Sequence, residues 1–228
     1  AYVAVKRPLL DDFAPCIYRT HDFGRTWTKI VTGIAPNDYV HAVREDRTRR
    51  GLLYAGTQHG VYVSFDDGGE WQSLSLNLPD TPVSDLVVED HDLVISTHGR
   101  GFYILDDIGP LRQAGPAVAR GPACLFRPND AIRSAGDATI RYALRAPAKA
   151  LAIEITDSSG AVVASFAGGK DAAMTPGLNT ARWDLRYPGA TAFPGMILWG
   201  GRVSGPMAPS GSYQVHMTVD GASQTQPL

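Results

Sequence analysis

Two aspartates, Asp22 and Asp66, stand in the same chemical setting 44 positions apart. Thr20-His21-Asp22-Phe23-Gly24-Arg25-Thr26-Trp27 and Ser64-Phe65-Asp66-Asp67-Gly68-Gly69-Glu70-Trp71 both read Ser/Thr-x-Asp-x-Gly-x-x-Trp. Carboxylates in such runs could serve as general acids or metal ligands. A calcium loop, however, needs a longer alternating series of oxygens closed by a distant Glu, and that series is missing. The pattern fits a tight turn better. The hydroxyls of Thr20 and Ser64 and the carboxylates of Asp22 and Asp66 can accept hydrogen bonds from N–H groups that a tight hairpin leaves unpaired. Gly24 and Gly68 supply a conformation that a side chain resists. Trp27 and Trp71 are then expected to fold back and bury their rings against the outer strands. We read all eight positions as structural, with no catalytic residue and no metal site.

If these boxes cap one end of a sheet, the intervening hairpins carry His59, His98 and Arg100 to the other end. There His98 and Arg100 could contact an acidic or polyhydroxylated ligand, the arginine through its planar donor fork. The plain alternative is that all three are ordinary turn residues, with Arg100 paired to a nearby carboxylate. His21, His41, His91 and His216 have no partner at metal-ligand spacing. Trp199 lies in a Pro/Gly-rich connection from Pro188 to Gly211, beside Met196, Ile197 and Leu198. Exposed, it could stack on a sugar ring; docked, it would seal one half of the chain against the other, the outcome expected of an apolar patch. Cys16 and Cys124 are 108 positions apart and make either one long-range disulfide or two independent buried thiols, the simpler reading. No cofactor is expected.

The elements that position these residues read as strands. Between the boxes, Tyr39–Val43, Leu52–Gly56, Val61–Ser64 and Trp71–Leu74 are short alternating or apolar runs, with Gln58-His59-Gly60 making one hairpin turn and the box the next. Four short antiparallel strands repeating at this period describe a propeller blade. A third unit follows, in which Leu93–His98 matches Leu53–Gln58 and Gly101–Ile104 matches Gly60–Val63. Its box has decayed to Leu105-Asp106-Asp107-Ile108-Gly109, with Asp107 in place of Asp66 and Arg112 in place of the tryptophan. Residues 113–123 are rich in Ala, Gly and Pro and read as a linker. Beyond it, Thr139–Leu144, Leu151–Thr156, Val162–Phe166, Asn179–Leu185, Tyr213–Val219 and Ala222–Leu228 are strands, the last two joined by an Asp220-Gly221 turn. That pattern fits an immunoglobulin-like sandwich. The expected fold is all-β: two to three four-stranded blades over 1–112, a linker at 113–123 and a sandwich over 124–228.

The 228 residues carry a net charge of −2, and Arg47-Thr48-Arg49-Arg50 is a short solvated loop rather than a basic stripe, so nucleic acid is not an expected partner. No apolar stretch approaches membrane-spanning length. The chain opens inside a strand-like run, Tyr2-Val3-Ala4-Val5, and is read as a piece of a longer protein.

The boxes resemble the Asp-box, or BNR, repeats of sialidases, xyloglucan-cleaving glycoside hydrolases and sortilin-type receptors. The first half is most similar to the C-terminal region of exported bacterial BNR-repeat, sortilin-like or glycosyl-hydrolase-like proteins, through Tyr18-Arg19-Thr20, Leu53-Tyr54-Ala55-Gly56-Thr57 and Ser96-Thr97-His98-Gly99-Arg100-Gly101-Phe102-Tyr103-Ile104-Leu105-Asp106-Asp107. The second half resembles the Ig-like domain of flagellar hook-capping proteins, through Gly177-Leu178-Asn179, Arg182-Trp183-Asp184-Leu185-Arg186 and Gly205-Pro206-Met207-Ala208-Pro209-Ser210-Gly211-Ser212-Tyr213. The resemblance implies an exported binding or scaffolding module for peptide or glycan. It equally allows a non-catalytic portion of a glycoside hydrolase whose acids lie in absent blades. It also implies a partner, the remainder of the propeller, supplied by a second chain or a symmetry mate.

Overall fold

The computed structural model describes residues 1–115, 121–134, 136–191, 193–197 and 199–228. The protein is all-β, built from small antiparallel sheets of which none is closed. It divides into two compact units, Ala1–Arg112 and Gln113–Leu228. Residues 116–120 of the expected linker lie outside the described residues. Among those described, no helix is long and apolar enough to cross a membrane.

In the first unit three sheets follow one another along the chain. The first holds β1 (Tyr2–Ala4), β2 (Ile17–Arg19) and β3 (Thr28–Lys29). The second holds β4 (Val40–Glu45), β5 (Leu53–Thr57), β6 (Val61–Ser64) and β7 (Gln72–Ser73), and the third holds β8 (Val83–Val88), β9 (Leu93–Thr97) and β10 (Phe102–Leu105). Only the second has the four strands expected of every sheet. Ala4 pairs with Ile17 as Gly56 pairs with Val61, so β1 is the counterpart of β5 and the first sheet has no counterpart of β4. The third sheet has no counterpart of β7, because after β10 the chain turns into a short helix, α1 (Gly109–Gln113).

Side chains alternate between the two faces of a strand, and this sorts the apolar residues into two cores. Leu53 and Ala55 join Ile17, Ile30, Val40, Val43 and Trp71 between the first and second sheets. Leu52, Tyr54, Val61 and Val63 join Val83, Leu86, Leu93, Ile95 and Ile108 between the second and third. β5 is covered on both faces, which is why it reads as an unbroken buried run, Leu-Tyr-Ala-Gly-Thr.

The second unit has two sheets over one core. β11 (Ala123–Leu125), β12 (Ala138–Leu144) and β15 (Gly177–Trp183) form one; β14 (Val162–Ala167), β13 (Leu151–Thr156), β16 (Gln214–Val219) and β17 (Ala222–Pro227) form the other, in those orders. Their inward residues, including Ile140, Tyr142, Ile153, Ile155, Val215 and Met217, are fully buried. The indole of Trp183 donates to the Arg186 carbonyl at 2.9 Å and meets Tyr213 edge to face at 5.3 Å between ring centres. Asp220 and Gly221 both have positive φ, 48° and 87°, as a two-residue hairpin requires.

Candidate functional site

The two boxes form the same hydrogen-bonded cradle. In the second, Ser64 Oγ accepts from the Gly68 N–H at 2.9 Å and donates to Asp66 Oδ1 at 2.8 Å, which also accepts from the Glu70 N–H at 2.9 Å. In the first, Thr20 Oγ1 accepts from Gly24 at 2.9 Å and donates to Asp22 at 2.8 Å, while Thr26 donates its N–H at 2.8 Å and its hydroxyl at 2.6 Å to the same carboxylate. The hydroxyl is thus relay as well as acceptor. The Thr26 hydroxyl and N–H, then the Thr20 hydroxyl, hold the Asp22 carboxyl down to about 2. Phe23 and Gly24 (φ 61° and 87°) and Asp67 and Gly68 (64° and 85°) are the left-handed pairs that turn the chain.

The tryptophans differ. Trp71 is 2% exposed and donates Nε1–H to the Ile30 carbonyl of the preceding sheet at 2.9 Å. Trp27, expected to be buried likewise, is 44% exposed and donates to its own box, to the Gly24 carbonyl at 3.1 Å. The physical reason is sheet order. Trp71 closes the box of the second sheet and has the first sheet to reach back to, whereas Trp27 closes that of the first sheet and finds its acceptor in its own turn. Gly68 shows the same asymmetry: a Cβ there would lie 2.4 Å from Ile30 Cδ1, whereas one at Gly24 would meet only Trp27, at 3.8 Å.

Polar pins also join the sheets. Asp67 accepts from Tyr2 at 2.5 Å, Arg19 at 2.9 Å and His21 at 3.0 Å, all from the first sheet or its box. Burial raises the Asp67 carboxyl, but these donors and the Arg19 charge outweigh it and bring it below its ordinary value. Arg112, in place of a box tryptophan, pins the third sheet to the second. It pairs with Asp46 Oδ2 at 2.9 Å and donates to the carbonyls of Asp90 and, at 3.0 Å, Glu89; the Asp46 side chain is fully buried. The register of β10 keeps the expected alignment of this third box: Leu105 pairs with Leu93 as Ser64 pairs with Leu53, which sets Asp107 in the place of Asp66 and Arg112 in that of Trp71. Asp107 itself takes a left-handed backbone (φ 58°), which the first two boxes take one place after the aspartate, at Phe23 and Asp67. Leu105 replaces the hydroxyl residue, which removes the cradle.

At the opposite end of the sheets the β5–β6 hairpin carries His59 and the β9–β10 hairpin carries His98 and Arg100. His59 Nδ1 lies 2.9 Å from Asp80, so it has a carboxylate partner. The side chains of His98 and Arg100 are exposed and, among the described residues, have no hydrogen-bond or ion-pair partner; the expected alternative of a carboxylate on Arg100 is not observed. His41, which the sequence reading set aside, belongs to this end. It bonds Gln58 at 3.2 Å and lies tilted against Tyr39 at 5.0 Å between ring centres; Tyr39 is itself 6.2 Å from the half-exposed ring of Phe13. Burial lowers the His41 pKa against the Gln58 hydrogen bond, and the nearby charges of Lys6 and His98 lower it further. The signal for this cluster was the pairing of β4 with β5, which sets Tyr39 beside Gln58.

Trp199 is 96% exposed and covers no part of the sandwich core; its neighbour Leu198 lies outside the described residues. Cys16 and Cys124 are free thiols, the first buried and the second only partly so. Arg49, from the short basic run, lies over the Phe65 ring at 5.5 Å and donates to the carbonyls of Leu111 and Arg112, a structural role.

The chain matches no known family model, and no curated protein matches it. Among solved structures, 93% of it is similar to the extracellular domain of the one component system BT4673 from B. thetaiotaomicron, at 10% identity and a TM-score of 0.32. A structure of the extracellular domain of the hybrid two component system BT4673 from B. thetaiotaomicron is similar over 94% of the chain, at 8% identity and 0.33. The chain spans 27% and 28% of those two chains.

Proposed function

We propose that this chain is the C-terminal part of an exported Asp-box propeller protein and acts as a binding or scaffolding module for a peptide or glycan. The three sheets of the first unit are its successive blades, and the second unit is an Ig-like sandwich. The repeated cradle, the left-handed pairs and the stacking of each sheet on the one before it support the blade reading. The Trp183–Tyr213 contact and the Tyr213 hydroxyl, which donates to the Pro209 carbonyl at 2.7 Å, support the sandwich reading. Its partner is the remainder of the propeller, as a second chain or a symmetry mate.

One observation carries the binding role. Arg100 and His98 are exposed and, among the described residues, without side-chain partners at the end away from the boxes, in a neighbourhood that also holds His41 and Lys6. The Arg100 and Lys6 charges suit a carboxylate-bearing glycan or an acidic peptide, which the arginine fork can grip in two places. Calorimetric titration with acidic oligosaccharides and acidic peptides tests this. Arg100→Ala and His98→Ala should each weaken binding about tenfold, roughly 1.4 kcal/mol. Equal affinity in Arg100→Ala, or no binding across both ligand classes, rules the proposal out. Hydrolysis of a bound glycan by a full-length protein containing this chain would instead favour the glycoside-hydrolase alternative.

A further inference from the structure

The first unit leaves two sheet faces bare, and each has an internal template. In the second sheet one face packs on the sheet before it and the other on the sheet after it. The face of the first sheet that corresponds to the former presents Val3, Tyr18 and Trp27 around a shallow apolar depression, with Phe23 fully exposed. The face of the third sheet that corresponds to the latter presents Val87, Phe102 and Ile104, exposed by 43%, 76% and 59%. Apolar faces of this kind on sequential sheets are what a further sheet covers.

Register shows what that sheet must be. Across the first internal interface Arg19 of one sheet meets Asp67 of the next at 2.9 Å. Phe23 holds the position of Asp67, with the same left-handed backbone. Ile104 holds the position of Arg19: Ile104 pairs with Val94 as Val63 pairs with Tyr54 and Arg19 with Tyr2. The charge pair inside the molecule is therefore an apolar pair at its two ends. A sheet carrying an arginine there would set an unpaired charge against Phe23, and one carrying an aspartate would set it against Ile104.

We infer that the two ends fit each other, so that a second copy of this chain stacks head to tail, placing its Phe102–Ile104 face on the Val3, Tyr18 and Phe23 face of the first. This rests on the repeat reading of the sheets. Such a contact is heterologous and continues into a ring or an open array.

Sedimentation velocity on the full chain from about 1 to 100 µM, the range in which such contacts assemble, tests it with Phe23→Asp and Ile104→Asp. Both sites are exposed, and position 23 already has the conformation that aspartate adopts at 67. Wild type should form dimers and larger species, and each variant should stay monomeric. Their equimolar mixture should give one-to-one dimers and nothing larger, because one intact contact remains. Phe23→Asp with Ile104→Arg in one chain rebuilds the internal charge pair and should associate again. A wild-type monomer throughout, association of either single variant, or a monomeric mixture overturns the inference. Wild-type monomers in which Trp71 stays buried, by quenching of its fluorescence, overturn the stacking and leave the repeat reading standing; an accessible Trp71 overturns the repeat reading itself.

Discussion

Replacing each box tryptophan by alanine tests whether the indole acts within its own turn or between sheets. A buried indole covers roughly 200 Å², and at about 25 cal/mol per Å² that is about 5 kcal/mol. Trp71 is enclosed on both sides by the core that Ile17, Ile30 and Leu53 form with it. Trp71→Ala therefore leaves a cavity and an undonated Ile30 carbonyl, and should cost about 4 kcal/mol. Trp27 is 44% exposed and its indole N–H satisfies only its own turn. With no enclosed cavity to leave, Trp27→Ala should cost about 1 kcal/mol. For a urea dependence of about 2 kcal/mol per molar, the midpoints drop by about 2 M and about 0.5 M. Hydrogen exchange read in peptides over β5 and β6 at each urea concentration confines the measurement to the first unit. Equal shifts for the two variants, or a Trp71→Ala shift under about 0.5 M, would refute the reasoning.

Gly68→Ala should destabilise by more than Gly24→Ala, which carries only the left-handed strain of about 1 kcal/mol, because only at position 68 does the new carbon strike Ile30; thermal melts of the two variants decide this. Arg112→Ala strips the buried Asp46 carboxylate of its cation and should cost about 3 kcal/mol, against near neutrality for the exposed Arg44→Ala, whose partner Asp85 is also exposed. Asp22 has a folded pKa of about 2 against an ordinary 3.8, so its contribution is complete above about pH 4 and is lost as pH falls through 2. Its carboxyl carbon shift in an NMR titration should turn near 2, and a midpoint near 3.8 would mean the cradle is not formed. Gly221→Ala should cost about 1 kcal/mol by straining the β16–β17 turn, seen as faster exchange in those strands, whereas Gly211→Ala, with open space and no positive φ, should not.

The all-β class and many strands were legible because their signals are local. Val61–Ser64 and Leu151–Thr156 were read from the sequence with the same bounds that the structure gives them. The boxes were legible for the same reason: hydroxyl, carboxylate and glycine act within five residues. What was not legible depends on partners far along the chain. The burial of Trp71 depends on the sheet before its own, and the Arg112–Asp46 pin joins residues 66 positions apart. The short helix α1 stands where the fourth strand of the third sheet was expected. At the hairpin end, His98 and Arg100 were found by counting strands, while His41 needed the pairing of β4 with β5 to place it beside Gln58.

The account rests on Trp71 reaching back to the sheet before its own, while Trp27 stays within its own turn. Solvent exchange of the two indole N–H protons, followed by NMR in the intact chain, measures this directly. The Trp71 proton, held by the Ile30 carbonyl inside a closed core, should exchange only when the first unit unfolds, and the Trp27 proton should exchange orders of magnitude sooner. A Trp71 proton that exchanges as fast as that of Trp27 would contradict the account.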